Sequence, residues 1–407
     1  MDNKESKFIL VVGAGWAGSV FAREMAELGH YVTIVDSRDH IGGNCYDEAK
    51  DGSFVHKYGP HIFHTDNKRV SDYVQKFGEW RPYHHRVKAF IDGKYVEIPF
   101  NFNTIRDLFP KQKAEEIESW LLSNFEYGSK VAISKIQEVA KEDGSPLGAF
   151  ISEFIYNKIF KNYTAKQWGI DPDKVDKSVL ARVPISLSVD DRYFQEDKYQ
   201  MMPSNGYTSI FQNLLDHVNI NVLVNSDCNI GGDEDDLKKC KVTHQDETGT
   251  TVDYEYDEIV YTGQIDKFFK YSHGELPYRT INFKEVNLAP GEKLPAATTN
   301  FPNDYDFTRL TDYKQLHQIN QTILGNTKVY GEFSSEFVKD SGQTPYYCVN
   351  SEESKIAYEK YKAESDKYPN IHFIGRLAEF AYYDQDDIIL KVLEYVEENF
   401  GSKQQTS

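Results

Sequence analysis

The fold class of this chain is decided by the stretch Phe8-Ile9-Leu10-Val11-Val12-Gly13-Ala14-Gly15-Trp16-Ala17-Gly18. A short apolar run leads into a GxGxxG sequence, a helix-like segment follows, and a second β-branched run, residues 31–35, ends at Asp36. This order predicts a β–α–β unit. The glycines permit a tight turn and close approach of a pyrophosphate, and the helix N-terminus offers N–H groups to phosphates. With Asp36 available to ribose hydroxyls, the stretch predicts a dinucleotide site.

The residues after the second strand distinguish between the common dinucleotides. The run Asp36-Ser37-Arg38-Asp39-His40-Ile41-Gly42-Gly43-Asn44 resembles the second glycine motif of FAD-containing oxidoreductases, in which a backbone loop folds over the cofactor. A simple NAD dehydrogenase has no need of it, whereas Gly42-Gly43 taken alone is also compatible with an ordinary turn. The two motifs together favour FAD.

Composition excludes several classes of protein. The chain has 407 residues and a net charge of −18, which does not suit a nonspecific nucleic-acid binder. Its apolar fraction of 40% supports a large core, and its length suggests two or three domains. No apolar run approaches the roughly 20 residues that span a bilayer, and the polar N-terminus is unlike a signal peptide. We therefore predict neither a nucleic-acid partner nor a membrane span.

The four cysteines, Cys45, Cys228, Cys240 and Cys348, show neither CxxC nor metal-ligand spacing. This pattern predicts a reduced, cytoplasmic protein without a metal site.

The remaining periodicity predicts how the chain is organised. Apolar residues at three- and four-residue spacing predict helices over residues 111–122 and 150–160, within a helical insertion. Short alternating runs within residues 219–262 predict strands that rejoin the first sheet, with a last strand at 371–376 and a helix at 386–400.

Besides the segment from Asp36 to Asn44, several distinctive strings follow one another along the chain: His56-Lys57-Tyr58-Gly59-Pro60-His61-Ile62-Phe63-His64-Thr65, Ile98-Pro99-Phe100-Asn101, Tyr163-Thr164-Ala165-Lys166-Gln167-Trp168-Gly169, Pro345-Tyr346-Tyr347 and Gly375-Arg376-Leu377-Ala378-Glu379. In this order they resemble the UDP-galactopyranose mutases, flavoenzymes that interconvert the six- and five-membered ring forms of nucleotide-linked galactose.

The resemblance covers nearly the whole chain and implies an α/β fold with three parts. A discontinuous Rossmann-like FAD-binding domain would comprise residues 1–80, about 205–270 and 365–407. A helical domain would be inserted at about 104–182. A mostly antiparallel β-sheet domain for substrate would comprise about 81–103, 183–204 and 271–364.

The resemblance also implies which residues hold FAD. His61 and His64 would lie at the isoalloxazine face of the flavin; from the residues alone, two histidines three apart are more typical of a core or a helix face. The implied cofactor-binding set is Gly13, Gly15, Ala17, Gly18, Asp36, Ser37, Gly43, Asn44, His61, Ile62, Arg376 and Asp387.

For the nucleotide-sugar substrate, the resemblance implies that Tyr163 and Trp168 hold the base, where a flat ring can stack. Tyr347 and Tyr382 would contact the diphosphate, and Arg309 would grip the phosphate and sugar region with its fixed fork of donors. His64 and Arg309 are the implied catalytic side chains. The full substrate-binding set is His85, Tyr163, Thr164, Trp168, Tyr193, Tyr199, Asn300, Arg309, Tyr347 and Tyr382.

The implied reaction converts UDP-galactopyranose to UDP-galactofuranose, a precursor of cell-surface polysaccharide. The nucleophile is N5 of the reduced flavin, which attacks the anomeric carbon, displaces UDP and forms a flavin–sugar adduct. An external reductant such as NAD(P)H would reduce the flavin, and the protein would work in the cytoplasm as a possible homodimer. The chain itself would supply a nucleotide anchor, positive charge at the diphosphate and sugar positioning.

The chain departs from the family pattern near the substrate. Ser186 stands where the family has an arginine that neutralises the diphosphate; Arg182, Arg192 and Lys198 are candidates to replace it. His85 also occupies a position usually filled otherwise. Three alternatives therefore stay open: a mutase for another UDP- or dTDP-linked deoxy or acetamido sugar, an FAD-dependent oxidoreductase, and a homologue that binds sugar nucleotides without catalysis.

Overall fold

The computed structural model describes residues 6–169, 183–230, 234–245, 248–318 and 327–401. Its strands are β1 (Phe8–Val12), β2 (Tyr31–Val35), β3 (Asp47–Lys50), β4 (Ser53–His56), β5 (Phe63–Thr65), β6 (Trp80–Pro82), β7 (Val87–Ile91), β8 (Lys94–Ile98), β9 (Lys130–Val131), β10 (Ile185–Ser186), β11 (Tyr199–Pro203), β12 (Ile220–Leu223), β13 (Cys228–Ile230), β14 (Lys241–Gln245), β15 (Thr251–Glu255), β16 (Glu258–Tyr261), β17 (Tyr278–Asn287), β18 (Thr298–Asn300), β19 (Arg309–Thr311), β20 (Lys328–Glu336), β21 (Tyr347–Cys348) and β22 (Ile371–Phe373).

The helices in the same described ranges are α1 (Trp16–Glu27), α2 (Lys68–Val74), α3 (Phe102–Leu108), α4 (Lys111–Asn124), α5 (Ile133–Glu142), α6 (Pro146–Ile155), α7 (Asn162–Trp168), α8 (Gly206–Leu215), α9 (Glu234–Lys238), α10 (Ile265–Phe268), α11 (Tyr313–Leu316), α12 (Glu352–Ser365) and α13 (Gln385–Asn399). The predicted helix 111–122 is α4, extended by two residues. The predicted helix 150–160 is instead the second half of α6 followed by a π-helical turn, Tyr156–Lys161. No described helix is both long and apolar enough to cross a bilayer.

A five-stranded parallel sheet in the order β12–β2–β1–β16–β22 holds the predicted β–α–β unit. Its strands come from distant parts of the chain, and both faces are covered. Ile9 and Val11 face a core that includes residues of α1 and α13, whereas Leu10 faces a core that includes Tyr361 of α12. Coverage of both faces explains why the strand is a continuous apolar run. The predicted fold class, α/β with a discontinuous Rossmann-like unit, is confirmed.

One part of the strand prediction is wrong. Within residues 219–262, β12 and β16 join the parallel sheet, but β15 pairs with β14 in a separate antiparallel sheet of β13, β14 and β15. The reason is burial: β15 is mostly exposed, whereas β16 is buried at three of its four positions. A central parallel strand needs apolar residues on both faces, which the sequence Thr251–Glu255 does not provide.

The second large sheet has seven strands in the order β21–β17–β20–β19–β18–β7–β8. All its pairings are antiparallel except that of β18 with β7. Strands β7 and β8 share a core with α3–α6, where Ile105, Ile117, Ile136 and Ile151 are buried. The division of the chain into the three domains given above stays a prediction.

Candidate active site

The glycine turn after β1 has no room for larger residues. Gly13 has φ +105°, and a Cβ there would lie 2.1 Å from the Thr262 side chain. A Cβ on Gly18 would lie 1.9 Å from the Gly13 carbonyl oxygen, so the turn and the first turn of α1 are in direct contact. Gly15 precedes α1 in an extended conformation. The turn therefore presents bare backbone at the N-terminus of a helix, which suits a pyrophosphate.

Asp36 at the end of β2 closes this turn. Its carboxylate accepts hydrogen bonds from the backbone N–H groups of Ala14, at 2.9 Å, and Arg38, at 2.9 Å. The second glycine loop also reaches the turn: the Gly42 N–H donates to the Ala14 carbonyl at 2.8 Å. A Cβ on Gly43 would come within 2.8 Å of the Gly15 Cα. The two motifs that the sequence singled out therefore form one backbone surface.

A groove runs along this surface at the carboxyl ends of the parallel strands. It is lined by residues that follow β1, β2, β16 and β22, by residues that precede β5 and β21, and by the start of α13: Gly15, Trp16, Ala17, Gly42, Asn44, Cys45, His61, Thr262, Pro345, Tyr346, Gly375, Arg376, Leu377, Tyr383, Asp384, Gln385 and Ile388. Ligands of open α/β sheets bind at this edge. The close-packed glycines, the carboxylate of Asp36 and the helix N-terminus fit a dinucleotide.

His61 lines the groove and is held by its neighbours in one tautomer. Its Nδ1 lies 2.8 Å from the Gly59 carbonyl oxygen, which can only accept, so Nδ1 carries the proton. Its backbone N–H donates to Nδ1 of the buried His56 at 3.0 Å. Burial lowers the pKa of His61 to about 4, so the ring is neutral near pH 7 and Nε2 is an acceptor.

Beneath His61, two buried histidines form a pair. Nε2 of His56 and Nε2 of His317 are 3.1 Å apart. Because His56 Nδ1 accepts from the His61 N–H, His56 donates through Nε2 and His317 accepts. Burial lowers the pKa of His56 well below its usual value and that of His317 to about 4. This neutral pair supports the segment that carries His61.

Arg376 joins the groove to a pair of tyrosines. Its Nη2 donates to the Tyr383 carbonyl at 2.6 Å, and its guanidinium lies 4.8 Å from the ring centre of Tyr382 and 5.7 Å from that of Tyr347. The two rings stack with centroids 6.0 Å apart. The predicted cofactor arginine and the two predicted diphosphate tyrosines are therefore neighbours.

Arg309 lies opposite Glu332 on the adjacent strands β19 and β20. Arg309 Nε donates to Glu332 Oε1 at 2.7 Å, and the Glu332 side chain is 2% exposed. Burial raises the pKa of Glu332, and the arginine opposes that rise. Burial also raises the pKa of Tyr163, where Arg309 acts in the opposite direction. Tyr163 and Tyr347 in turn influence the pKa of Arg309, so the four side chains share one electrostatic environment.

A third group surrounds His64. The ring stacks on Phe194 with centroids 3.5 Å apart, and Nδ1 lies 2.7 Å from Oδ2 of Asp197. Phe194 also stacks near His85, with centroids 6.1 Å apart, and the Tyr193 N–H donates to the His85 carbonyl at 2.8 Å. Burial lowers the pKa of His85 to about 3, and Arg309 and His64 act in the same direction. These contacts bring together three predicted site residues: His64 of β5, His85 after β6 and Tyr193 before β11.

The other predicted residues lie in varied surroundings. Thr164 is buried, Ser37 is exposed, and the side chain of Trp168 lies outside the described part of the structure.

Two predicted cofactor residues lie at or near the start of α13. Asp387 is exposed and accepts a hydrogen bond from the Asp384 N–H at 3.1 Å, within the cap of α13. Ile62 is buried, and its carbonyl accepts from Gln385. Two partly buried residues, Tyr199 and Asn300, lie at strand ends, facing Thr65 and Arg309 in the strand registers.

Ser186 is enclosed rather than open to a phosphate. It is 1% exposed, and its hydroxyl lies 3.0 Å from Oγ of Ser188 and 3.0 Å from Oε1 of Gln195. Of the cations considered as replacements, Arg192 donates through Nε and Nη2 to Asp190. Lys198 is exposed, and Arg182 lies outside the described residues.

Sequence patterns missed several residues of this region. Glu332 and Asp197 had no recognisable local motif, because each is defined by the side chain that it meets, Arg309 and His64 respectively. Gln385 was also missed: it accepts from Trp16 Nε1 at 3.0 Å and donates to the Ile62 carbonyl at 3.1 Å. A sequence signal was available, since Gln385 directly precedes the predicted helix 386–400, which follows the predicted cofactor arginine.

Comparison with known proteins agrees with this geometry. A family model described as UDP-galactopyranose mutase matches residues 158–382, and one described as an NAD(P)-binding Rossmann-like domain matches residues 11–77. A probable UDP-galactopyranose mutase of Klebsiella pneumoniae is 34% identical over 99% of this chain and 96% of its own. A dTDP-fucopyranose mutase of Escherichia coli is 34% identical over 95% of this chain and 96% of its own.

Among solved structures, that of a reduced UDP-galactopyranose mutase covers 98% of this chain and 94% of its own, with a TM-score of 0.69 at 16% identity. At that identity the likeness concerns the fold alone. The sequence matches to the two relatives extend over nearly the whole length of both aligned proteins, so the family assignment does not rest on the dinucleotide-binding unit alone. The chain belongs to the UDP-galactopyranose mutase family, whose members are flavin-dependent sugar-nucleotide mutases.

Proposed function

We propose that this protein is an FAD-dependent isomerase that interconverts UDP-galactopyranose and UDP-galactofuranose. The observation that carries the proposal is the position of Arg376, which lines the dinucleotide groove and also lies 4.8 Å from the ring centre of Tyr382. One cation thus connects a groove that fits a dinucleotide with aromatic residues that suit a nucleotide-linked sugar. When bound and reduced, the flavin supplies the nucleophile that reacts at the anomeric carbon.

The cofactor would be held by the backbone surface of the two glycine motifs. Gly13 and Gly18 allow the turn to pack closely against Thr262 and the start of α1, so that bare backbone would face the pyrophosphate. Asn44 and His61 line the same groove. The neutral ring of His61 can accept a hydrogen bond at Nε2 without adding positive charge. Ala17, Asp36, Ser37, Gly43, Ile62, Arg376 and Asp387 complete the proposed cofactor set.

The substrate would lie beside Arg309. Loss of UDP places negative charge on the leaving diphosphate, and a guanidinium stays charged at all relevant pH values. Glu332 holds one edge of that guanidinium at Nε and leaves its terminal nitrogens for the substrate. Aromatic side chains supply flat surfaces for the base and sugar. The proposed substrate set is Arg309, His85, Tyr163, Thr164, Trp168, Tyr193, Tyr199, Asn300, Tyr347 and Tyr382. His64 and Arg309 are the proposed catalytic side chains.

A second candidate substrate is a dTDP-linked deoxy sugar. The relative named for dTDP-fucopyranose is as similar to this chain as the relative named for UDP-galactopyranose, at 34% identity each. The buried hydroxyl of Ser186, where an arginine was expected, is a further reason to test it. An acetamido sugar is tested in the same way.

The experiment is an anaerobic assay of the purified holoenzyme with and without dithionite. The pyranose–furanose pairs of UDP-galactose, of dTDP-fucose and of a nucleotide-linked acetamido sugar are each offered from both sides, and the ring forms are separated by chromatography. Conversion of the UDP-galactose pair by the reduced enzyme only, to the same equilibrium from either side, supports the proposal. Conversion of the dTDP pair alone would transfer the proposal to that substrate. Consumption of oxygen or of a hydride acceptor in proportion to product would favour an FAD-dependent oxidoreductase. Binding of the sugar nucleotides without conversion of any of them would favour a non-catalytic homologue.

The remaining parts of the proposal concern the cellular setting. NAD(P)H or another external donor would reduce the flavin, since isomerisation itself consumes no electrons. The four unpaired cysteines suit a reducing compartment, so we place the reaction in the cytoplasm, where it would supply furanose units for cell-surface polysaccharide. A homodimer is proposed as the working assembly, to be tested by light scattering.

A further inference from the structure

His64 is held in place by a single short segment of the chain. Phe194 covers one face of its ring at a centroid distance of 3.5 Å and an angle of 14°. Asp197, three residues later, meets its Nδ1 at 2.7 Å. A stacked ring restricts the plane of the imidazole, and a hydrogen bond within that plane restricts its rotation. Together the two contacts specify one orientation of the ring.

The same segment is braced from within. Gln200 is buried, and its Nε2 donates to the carbonyl oxygens of Phe194, at 2.6 Å, and Asp197, at 2.9 Å. Gln200 lies opposite His64 in the antiparallel register of β11 and β5. The turn that carries the aromatic ring and the carboxylate is therefore tied to the strand that carries the histidine.

We propose that Asp197 is a positioning residue of the isomerase, which holds His64 in the tautomer protonated at Nδ1 and leaves Nε2 available as a base in the site. The inference rests on the proposed function. A carboxylate only accepts hydrogen bonds, so Nδ1 must carry the proton when the ring is neutral. The carboxylate also stabilises the imidazolium that forms when Nε2 takes up a proton.

The chemistry of ring contraction needs such a proton carrier. When a pyranose becomes a furanose, the bond from C1 to O5 breaks and the bond from C1 to O4 forms. O4 loses a proton and O5 gains one, so a base that takes the first proton and returns it restores its own state. No electrons are transferred, and His64 ends each turnover unchanged. Two other titratable side chains in the described part of the structure, Asp386 and His85, interact electrostatically with His64. Neither of them hydrogen-bonds to its ring, whereas Asp197 does.

The test compares Asp197→Ala and Asp197→Asn with Glu196→Gln, a matched control. Glu196 is the neighbouring acid, but it is 77% exposed and pairs with Lys130 at 3.1 Å. The first readout is the ¹⁵N spectrum of histidine-labelled holoenzyme, with His64→Gln used to assign the His64 signals. We expect the Nδ1–H tautomer in the native enzyme and in Glu196→Gln, and its loss in Asp197→Ala.

The second readout separates kcat from KM for the substrate pair that the native enzyme converts. Asp197→Ala should lower kcat at least ~10-fold with little change in KM, because an orienting residue acts on the base rather than on substrate binding. Asp197→Asn keeps the size of the side chain and an acceptor oxygen but loses the charge, so its kcat should also fall. Glu196→Gln should stay within about twofold of the native enzyme.

An unchanged tautomer in Asp197→Ala, or an unchanged kcat in either variant, would overturn the proposal. If Asp197→Ala does not fold or loses its flavin, the kcat of Asp197→Asn alone tests the proposal: a fall supports it and an unchanged value contradicts it. If the native enzyme converts no sugar nucleotide, the proposed function fails and with it the catalytic role. The tautomer measurement then still tells whether Asp197 holds His64, so the two failures are distinguishable.

Discussion

Arg309 and Glu332 face each other across two antiparallel strands, and Arg309 Nε donates to Glu332 Oε1 at 2.7 Å. The carboxylate is almost fully buried, whereas a quarter of the arginine side chain is exposed. A buried carboxylate needs a partner, and a guanidinium held at one edge has a restricted orientation. The Arg309–Glu332 ion pair therefore stabilises the buried carboxylate and also orients the positively charged guanidinium.

Changing Arg309 to Lys should separate charge from geometry. Lysine keeps the positive charge but loses the planar fork, so we expect kcat/KM for the sugar nucleotide to fall on the order of 10²-fold. Steady-state assays with the reduced enzyme measure it. The matched variant Glu332→Gln keeps the shape of the partner and should fall less. Native-like kcat/KM in Arg309→Lys would contradict the role given to its fork.

Removing the arginine altogether should destabilise the fold. Arg309→Ala leaves the buried Glu332 carboxylate without its cation, which costs about 3 kcal/mol in free energy of unfolding. Urea unfolding measures the loss. The double variant Arg309→Ala/Glu332→Leu should recover part of it, because no buried charge then remains. A double variant as unstable as the single one would argue against an uncompensated charge as the cause.

Alanine at Gly18 should abolish flavin binding. The added Cβ would lie 1.9 Å from the Gly13 carbonyl oxygen and 2.9 Å from Val11 Cγ1, so the turn must move away from the helix. We expect the purified variant to lose most of its 450 nm absorbance per chain. Gly29→Ala is the control, since Gly29 has a positive φ of +90° but no atom within 4 Å of the added Cβ. It should keep the flavin and lose about 1–2 kcal/mol of stability, the cost of placing an L-residue at a left-handed φ.

Arginine at Ser186 should not be accommodated without cost. The hydroxyl is 1% exposed and bonded to Ser188 and Gln195 at 3.0 Å each. A long charged side chain must displace that network, so Ser186→Arg should lower the free energy of unfolding by about 1–3 kcal/mol. Ser186→Ala should cost about 1 kcal/mol. A Ser186→Arg variant that is as stable as the native protein and faster with UDP-galactose would show instead that this position faces the diphosphate.

Acid should destabilise the protein through its buried histidines. Burial lowers the pKa of His85 to about 3 and those of His61 and His317 to about 4, from 6.5. Between pH 6.5 and 4 the unfolded chain therefore binds more protons than the folded one, so stability rises with pH in this window and is lost as the pH falls. The free energy of unfolding, measured by urea titration at several pH values, should show this slope.

One histidine can be tested within that slope. His317→Gln should reduce the slope between pH 4 and 6.5 by up to one proton, about 1.4 kcal/mol per pH unit. The same substitution at the exposed His84 is the matched control for exchanging a histidine for glutamine. If the slope of His317→Gln equals that of the native protein, His317 is not neutral in the folded state.

The dinucleotide surface was predictable because its signals are local. Gly13, Gly15 and Gly18 are required by a turn only a few residues long. The sequence distance from this turn to Asp36 is set by one helix and one strand. The membership of β15 was not predictable from alternation. Thr251–Glu255 and Glu258–Tyr261 are both strand-like. The second strand is buried on both faces in the parallel sheet, whereas the polar residues of the first leave it mostly exposed.

The sequence by itself determined the α/β class, the glycine turn and, through its resemblance to a family, most of the residues proposed for the site. Tertiary structure decided which side chains meet: Glu332 with Arg309, Asp197 with His64, and His56 with His317, separated by 23, 133 and 261 positions. The physical reason is the range of the interactions. Turn geometry and helix periodicity act over neighbouring residues, whereas a hydrogen bond between distant residues exists only after the sheets have brought its partners within 3 Å or so.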